Sequence, residues 1–215
     1  MGRLTRKEKQ AQTRACLMHS AASVFSRRGL QHASIDEVAE NAGFTKGAFY
    51  ANFKSKEELF LAMLDERFTM RIEDIERVIA SEGSAPQKAR RGGDNFAQML
   101  SADPGWQRLF FEFTAYAARD EDFREELVTR YRAMRDRIAD ALAADAHGSD
   151  AEKALSTRQL ARALCVMGNG FALEKLLEGD EVPDELYGTM LMVFFAGLDA
   201  LAAQATVEVG AGEQR

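Results

Sequence analysis

A short polar segment in the N-terminal part of the chain carries residue types that bind phosphate groups. Thr45, Lys46, Gly47 and Tyr50 lie within residues 43–60, a stretch that also contains four phenylalanines. Hydroxyl and ammonium groups donate hydrogen bonds to phosphate oxygens, and a glycine allows the backbone to come close to a nucleic-acid strand. These side chains therefore predict a surface that binds a polyanion.

The element that must position these residues is a very short helix. Thr45 can cap a helix of about seven residues, in which Phe49 and Phe53 stand one turn apart and face the core. A helix of this length is not stable alone, and Gly47 weakens it further. We therefore expect its function to reside in its exposed face. The residues left on that face or near its N-terminus are Thr45, Lys46, Gly47, Ala48, Tyr50 and Asn52.

The neighbouring segments predict a helix-turn-helix unit of about sixty residues around this short helix. A first helix is expected over residues 6–28 and a second over residues 35–42, each ended by a glycine, Gly29 and Gly43. Ser55 opens a long fourth helix. Further groups for phosphate are expected on either side of the third helix, at Ser34 and Lys56.

Charge is divided unequally along the chain. The net charge is -6, which alone disfavours binding to nucleic acid. Residues 1–56, however, contain ten Lys and Arg against four acidic residues, a balance of +6, whereas the remainder contains 18 against 30, a balance of -12. A solvated basic tail explains only the first nine residues, and not the lysines at positions 46, 54 and 56. The N-terminal part is therefore expected to attract phosphates.

The composition of the whole chain predicts an all-α protein. The 215 residues include only three prolines, and 46% of them are apolar. Capping boxes mark helix starts at Thr5–Glu8, Ser34–Glu37, Ser55–Glu58 and Ser156–Gln159, and Pro104 and Pro183 mark two more. After the first four, helices are predicted over residues 94–101, 104–117, 121–145, 156–178 and 183–204, which makes about nine in total.

Two stretches interrupt this helical pattern. Residues 82–94 are interpreted as a linker or a poor helix, because Gly92 and Gly93 would each cost a helix about 1 kcal/mol. Residues 143–154 are interpreted as a flexible connection. The chain would then end in a frayed segment.

Several short motifs combine over residues 20–64. They are the AA and F of the first helix, the RRG at its end, the second helix and turn SIDEVAENAG, the third helix TKGAFYANF and the start KSKEEL of the fourth. Together they resemble the DNA-binding domain of the TetR family of transcriptional regulators. The all-helical remainder and the length agree with that family.

The resemblance implies a homodimer whose recognition helices enter successive major grooves of a palindromic operator in double-stranded DNA. A small molecule that enters the C-terminal domain would weaken this binding, as expected of a repressor. The implied domains are a DNA-binding domain over residues 1–69, with the helix-turn-helix at 34–53, and an effector-binding and dimerisation bundle over residues 70–204. Residues 205–215 are expected to be a disordered tail.

The resemblance also assigns DNA contacts to individual positions. Thr45, Lys46 and Ala48 are the best candidates for contact with base edges. Asn52 stands where the family very often has histidine, and alanines at 48 and 51 offer few hydrogen bonds, so the operator sequence does not follow. The positions that correspond to the family's DNA contacts are Ser34, Thr45, Lys46, Gly47, Tyr50, Asn52 and Lys56.

The last two long helices carry small and apolar residues on broad faces. The resemblance implies that these helices form a four-helix interface between protomers, and the alternative is that they only complete the core of the monomer. The residues assigned to the interface are Leu160, Leu164, Gly168, Met190, Phe194, Gly197 and Leu201.

Residues 106–123 are rich in aromatic side chains. Such a cluster is more often core than pocket, but the resemblance implies that some of its members line an apolar cavity. The effector is expected to be largely hydrophobic or aromatic, with Glu112 and Asn169 as its polar anchors. The residues assigned to the cavity are Met99, Trp106, Phe110, Phe113, Tyr116, Tyr131, Met134 and Phe171.

Other classes of protein lack support in the sequence. His19, His32 and His147 have no partner at metal-ligand spacing, and no nucleophile or phosphate-loop motif occurs, so neither an enzyme nor a bound metal or cofactor is expected. No run of about eighteen apolar residues is evident, and a cytoplasmic protein without membrane contact is expected. A helical interaction module that presents its basic N-terminal face to an acidic partner is the alternative to DNA binding.

Overall fold

The computed structural model describes residues 5–145 and 154–212, with side chains described as far as Gln204. Within these residues all regular structure is helical, in nine α-helices and one 3-10 turn at Gly179–Glu181. The all-α prediction is confirmed, and most of the connection predicted at 143–154 lies outside the described residues. The helices are α1 (Arg6–His32), α2 (Ile35–Asn41), α3 (Lys46–Tyr50), α4 (Lys56–Ile79), α5 (Ala85–Ala102), α6 (Pro104–Ala117), α7 (Glu121–Asp145), α8 (Thr157–Glu178) and α9 (Leu186–Gly212).

Helix α1 is broken at Gly29, where the sequence predicts its end. Gly29 has φ 72° and ψ 167° inside the helical span, a conformation that residues with a Cβ rarely adopt. Glu112 of α6 accepts a hydrogen bond from the N–H of Leu30, with 2.6 Å between N and Oε1. A Cβ at position 29 would lie 3.0 Å from that oxygen. The turn therefore requires glycine for its backbone conformation and for the space that the carboxylate fills.

The predicted capping residues bind the helix starts. Thr5 with Glu8 and Ser156 with Gln159 form complete capping boxes at α1 and α8. The hydroxyl of Ser34 accepts from the N–H of Glu37 at 3.0 Å. Local sequence is sufficient to find these starts, because both partners of each cap lie within four residues.

Helix α5 corrects the predicted linker at residues 82–94. The segment is helical from Ala85, and a capping box of Ser84 with Gln87, which the sequence prediction missed, opens it. A Cβ on Gly93 would lie 2.3 Å from the Cα of Gly188 in α9. The glycine allows the two backbones to touch, so this packing offsets the helix propensity that Gly93 lacks.

The chain divides into two compact units. Unit 1 contains Met1–Phe68 and Pro104–Arg130, and unit 2 contains Thr69–Asp103 and Tyr131–Arg215. Helix α6 and the start of α7 thus group with the N-terminal helices, whereas the predicted domain boundary runs once along the chain, between residues 69 and 70. The predicted domains are continuous in sequence, whereas each compact unit combines two separate parts of the chain.

Aromatic side chains form the centre of unit 1. The ring of Phe60 in α4 stacks on Phe113 of α6 with 3.5 Å between ring centroids, and on Trp106 with 5.7 Å. Phe25 of α1 meets Phe113 edge-on at 6.1 Å. These contacts explain why α6 belongs to the same unit as α1 and α4.

The core of unit 2 is centred on Tyr187 of α9. Its ring lies 5.0 Å from that of Phe96 and 5.4 Å from that of Phe171. Its hydroxyl donates to the carbonyl of Leu164 at 3.1 Å. Gly168 lies beneath this hydroxyl, where a Cβ would come within 3.1 Å of the oxygen. The aromatic side chains thus hold α5, α8 and α9 together.

Helix α9 departs from the prediction at both ends. It begins at Leu186, one turn after Pro183, whose carbonyl accepts from the N–H of Leu186 at 3.1 Å. Its backbone continues to Gly212, into the segment predicted as a tail, and residues 213–215 lie outside the described chain.

Candidate functional site

Helix α2 is fixed on α1 by a buried serine. Ser20 is 2% exposed, and its hydroxyl donates to the carbonyl of Val38 at 2.7 Å. The same hydroxyl accepts from Nδ2 of Asn41 at 3.0 Å. Val38 and Ala39 are buried against this side of α1. The start of α2, with Ser34 as its cap, is therefore held in a defined position and Ser34 remains exposed.

Helix α3 is short and is anchored by its aromatic side. It spans only Lys46–Tyr50, and the Thr45 hydroxyl accepts from the N–H of Ala48 at 3.3 Å. Phe49 is 0% exposed and Phe53 is 1% exposed, as predicted. The opposite side is open to solvent. We call this side the α3 surface, and it consists of the exposed residues Thr45, Lys46, Gly47 and Tyr50.

An ion pair joins the starts of α2 and α3. Nζ of Lys46 lies 3.0 Å from Oδ2 of Asp36, and both side chains are more than half exposed. The hydrogen bond to Asp36 raises the pKa of Lys46, so the ammonium stays charged at neutral pH. Sequence analysis did not identify Asp36, because its partner lies in another helix. A phosphate that binds Lys46 must compete with this carboxylate.

Gly47 has no packing partner inside the protein. A Cβ at this position would meet only the Thr45 hydroxyl, at 3.7 Å, which is ordinary van der Waals contact. The residue is also exposed. A packing role for this glycine is thereby excluded within the described residues, and a close approach from outside is the remaining physical reason for a glycine here.

Two of the predicted DNA contacts also serve internal contacts. Nδ2 of Asn52 donates to the carbonyl of Ala48 at 2.8 Å, and its Oδ1 is buried without a hydrogen-bond partner. Nζ of Lys56 donates to the carbonyls of Leu30 and Ala33 at 2.8 and 2.9 Å. Asn52, Lys56 and Ala48 are half-buried, so they are less accessible than the α3 surface.

Arg14 of α1 supports the end of α3 and was not foreseen. Its Nη1 donates to the carbonyl of Asn52 at 2.5 Å, and its guanidinium carbon lies 4.1 Å from the centre of the Phe53 ring. The contact combines a charge-assisted hydrogen bond with a cation–π interaction. No local pattern in the sequence connects residue 14 with residue 53.

The residues assigned to the effector cavity are divided between the units. Phe113 is completely buried in the aromatic stack of unit 1, and the Tyr116 hydroxyl donates to Asp120 at 2.9 Å. Glu112 accepts a hydrogen bond from the N–H of Leu30, so an effector anchored at Glu112 would have to replace this contact. Unit 1 contains Trp106, Phe110, Phe113 and Tyr116, and unit 2 contains Met99, Tyr131, Met134 and Phe171. Their role in binding stays a prediction.

The residues assigned to the dimer interface have different degrees of burial. Leu160 and Gly168 are buried within the protomer, because they pack against Leu198 and Tyr187. Gly197 and Leu201 are exposed. Leu164, Met190 and Phe194 are half-buried. The interface stays a prediction, but Leu160 and Gly168 belong to the core of the protomer.

Two family models match the chain. Residues 17–63 match the model described as "Bacterial regulatory proteins, tetR family". Residues 88–200, more than half of the chain, match "BetI-type transcriptional repressor, C-terminal". The chain belongs to the TetR family of transcriptional regulators. The first match contains α2, α3 and the whole α3 surface.

Three relatives in this family each match about half of the chain or less. The transcriptional activator FasR of Mycolicibacterium smegmatis is 32% identical over 110 residues, which are 51% of this chain and 48% of FasR. The A-factor receptor protein of Streptomyces griseus is 36% identical over 97 residues, 45% of this chain and 33% of that protein. The regulator TtgR of Pseudomonas putida is 42% identical over 59 residues, 27% of this chain and 28% of TtgR. The chain thus spans half or less of each of these relatives.

Solved structures share the TetR fold over most of the chain. GusR of Salmonella enterica has a TM-score of 0.70 and 20% identity, and the match covers 92% of this chain and 98% of GusR. FadR of Bacillus subtilis, in complex with stearoyl-CoA, has a TM-score of 0.69 and 15% identity, with 83% and 95% covered. At these identities the likeness establishes the fold alone.

TetR-family regulators are not enzymes, which agrees with the sequence-based expectation. Among residues 5–145 and 154–212, no group of three or more His, Cys, Asp or Glu side chains is placed to hold a metal ion. The side chains brought together at the α3 surface are donors of hydrogen bonds and one cation. Such groups bind anions and lack a nucleophile paired with a base.

Proposed function

We propose that the protein is a cytoplasmic repressor that binds a two-fold symmetric operator as a homodimer and leaves it when an apolar effector binds. The α3 surface is the observation that carries this proposal. It is polar, it carries the cation Lys46, and its glycine, Gly47, is not required by packing inside the protein. Family membership makes duplex DNA the partner that this chemistry fits.

The exposed residues of the α3 surface contact phosphates and base edges, and Lys46 reaches both. Lys46 and Tyr50 donate to phosphate oxygens at the edge of the groove, since Tyr50 is 51% exposed and Lys46 is charged. Thr45 and Lys46 reach base edges, because they stand at the start of the helix. Ser34 donates its hydroxyl hydrogen to a neighbouring phosphate while its oxygen still caps α2.

Dimerisation is supported by an exposed apolar face on α8 and α9. Of the eight large hydrophobic residues that the described chain exposes, six lie on these two helices. Val166 is 64% exposed, Leu177 69% and Val193 68%. Positions 166, 173 and 177 follow one helix face, as do 186, 193 and 201. We name the six residues the α8–α9 face, and they are Val166, Leu173, Leu177, Leu186, Val193 and Leu201.

The segment Leu186–Gln204 has a mean hydropathy of 1.6 and is long and apolar enough to cross a membrane by length and composition. Only 28% of it is buried in the single chain. We assign this exposure to self-association, because the neighbouring helix α8 exposes apolar residues in the same way. A second copy of the chain covers both helices, whereas a single membrane span would leave the face of α8 in water.

Sedimentation of two variants tests the dimer. Val166→Glu combined with Val193→Glu should shift the mass from dimer to monomer at micromolar concentration, since buried carboxylates oppose each other and cost several kcal/mol. Met70→Glu is the matched control, because Met70 is also an exposed apolar residue, at 52%, but lies on α4. A monomeric parent chain, or a dimeric double variant, contradicts the assignment.

Selection of bound duplexes from a random pool tests the operator. The proposed dimer should enrich a palindrome whose half-sites lie about one helical turn apart. An enriched site without two-fold symmetry contradicts binding as a symmetric dimer. A pool with no enrichment contradicts DNA binding itself. A reporter with the palindrome across its promoter then tests repression, which matters because the relative FasR is named an activator.

A further inference from the structure

Unit 2 contains an arginine at the edge of a cavity. The Arg71 guanidinium carbon lies 4.3 Å from the centre of the Phe96 ring. Over the described ranges 5–145 and 154–212, Arg71 forms no hydrogen bond and no ion pair. Asp74, one turn away, is paired with Arg77 at 2.6 Å. Burial lowers the pKa of Arg71, which shows that its charge is poorly solvated.

The cavity beside Arg71 has a volume of about 150 Å³. Its walls are mainly aliphatic and aromatic, from α4, α5, α7, α8 and α9. A dry cavity of about this size accommodates one benzene ring. The apolar part of the lining includes Ile75, Val78, Leu164, Leu191 and Phe195.

The negative charge of Asp74 acts on Arg71, but this carboxylate is paired with Arg77, and other ionisable groups near Arg71 are neutral or paired. Burial raises the pKa of Tyr187 to about 12, and its hydroxyl donates to Leu164. Burial also raises the pKa of the Cys165 thiol. Both groups are therefore neutral at pH 7. Lys88 and Asp145, which also line the cavity, neutralise each other at 2.9 Å. The positive charge at this edge of the cavity is therefore that of Arg71 itself.

We infer that this cavity binds an apolar molecule with one carboxylate, whose oxygens accept two hydrogen bonds from the Arg71 guanidinium. The hydrocarbon or aromatic body lies against Ile75, Val78 and Leu191. A guanidinium binds a carboxylate in a forked geometry, and the aromatic face of Phe96 leaves the edge of the guanidinium available. This inference names the chemical class of the proposed effector and so depends on the proposed function, although binding itself needs no DNA.

Calorimetry with a matched pair of probes tests the site. Phenylacetate and phenylacetamide have the same shape and differ in charge at pH 7.5. The parent protein should bind the acid about tenfold or more tightly than the amide. Arg71→Met should remove this preference while the affinity for the amide changes little. A structural defect would instead weaken both probes.

Two further variants keep the test decisive. Arg71→Lys retains the charge and should retain part of the preference, even where Arg71→Met folds poorly. Arg132→Met removes an exposed arginine of α7 that does not line the cavity and should bind both probes as the parent does. The inference is overturned when the parent binds both probes equally or binds neither, or when Arg71→Met keeps the preference for the acid.

Addition of the selected duplex separates this inference from the proposed function. An acid that binds at Arg71 and also weakens DNA binding supports both. An acid that binds at Arg71 without an effect on DNA supports the anion site and contradicts the role of that site in regulation.

Discussion

The α3 surface and the α8–α9 face expose opposite chemistry. The α3 surface presents hydroxyls, an ammonium and a bare glycine on a helix of five residues, with Phe49 fully buried behind it. The α8–α9 face presents aliphatic side chains on helices of 22 and 27 residues. Polar groups that stay solvated suit a partner that binds and leaves, whereas exposed Val193 and Leu177 favour permanent burial. Under the proposed function, the α3 surface is the reversible interface and the α8–α9 face is the lasting one.

Two glycines also differ in whether the protein has space for a Cβ atom. A Cβ on Gly47 would meet one hydroxyl at 3.7 Å, whereas a Cβ on Gly93 would lie 2.3 Å from the backbone of Gly188. Gly93 is therefore required by packing inside unit 2. Gly47 has no such contact within the described protein, and we propose that it lets DNA approach the backbone closely.

The largest expected effect is on stability, from Gly93→Ala. The clash with Gly188 should lower the free energy of unfolding by about 2 kcal/mol or more, although alanine favours helix. Gly92→Ala is the matched control, since its Cβ would lie 3.7 Å from Val78 and the change should stabilise by up to about 1 kcal/mol. Urea unfolding at equal protein concentration measures both. Equal stability of the two variants would show that the helix contact at Gly93 is wrong.

The next effect is on DNA affinity, from Lys46→Ala or Tyr50→Ala. Each should weaken binding to the selected operator about tenfold or more, equivalent to about 1.4 kcal/mol, with the dimer intact. Lys46→Ala should also reduce the salt slope by about one. Arg77→Ala, an exposed cation of unit 2, should leave affinity unchanged. Mobility-shift titrations measure these affinities. Unchanged binding by both α3 variants would contradict the assignment of DNA binding to this surface.

A smaller effect of opposite sign is expected from Asp36→Asn. The substitution frees Lys46 from its exposed ion pair and should strengthen operator binding by up to about fivefold, because an exposed pair competes only weakly with a phosphate. In a Lys46→Ala background the same change should have little effect. A gain that persists without Lys46 would show that Asp36 acts on the DNA directly.

Local sequence predicted the elements whose causes lie within a few residues. Gly29 as a helix end and Thr5 as a cap are examples. The first half of α5 was missed because the local cap of Ser84 with Gln87 was overlooked and because Gly188, which packs on Gly93, is distant in the chain. The internal roles of Lys56 and Glu112 depend on carbonyl and N–H groups of another helix, so no spacing rule reveals them. The α3 surface was predictable since its polar pattern is continuous in sequence.

Photo-crosslinking compares the two surfaces most directly. A benzoylphenylalanine is placed either at Tyr50 or at Val193, and the protein is irradiated with the selected duplex. We expect a protein–DNA adduct from position 50, which an excess of unlabelled operator should prevent, and no adduct from position 193. An adduct from position 193 alone, or no adduct from position 50 in a complex that still forms, would contradict the assignment of DNA binding to the α3 surface.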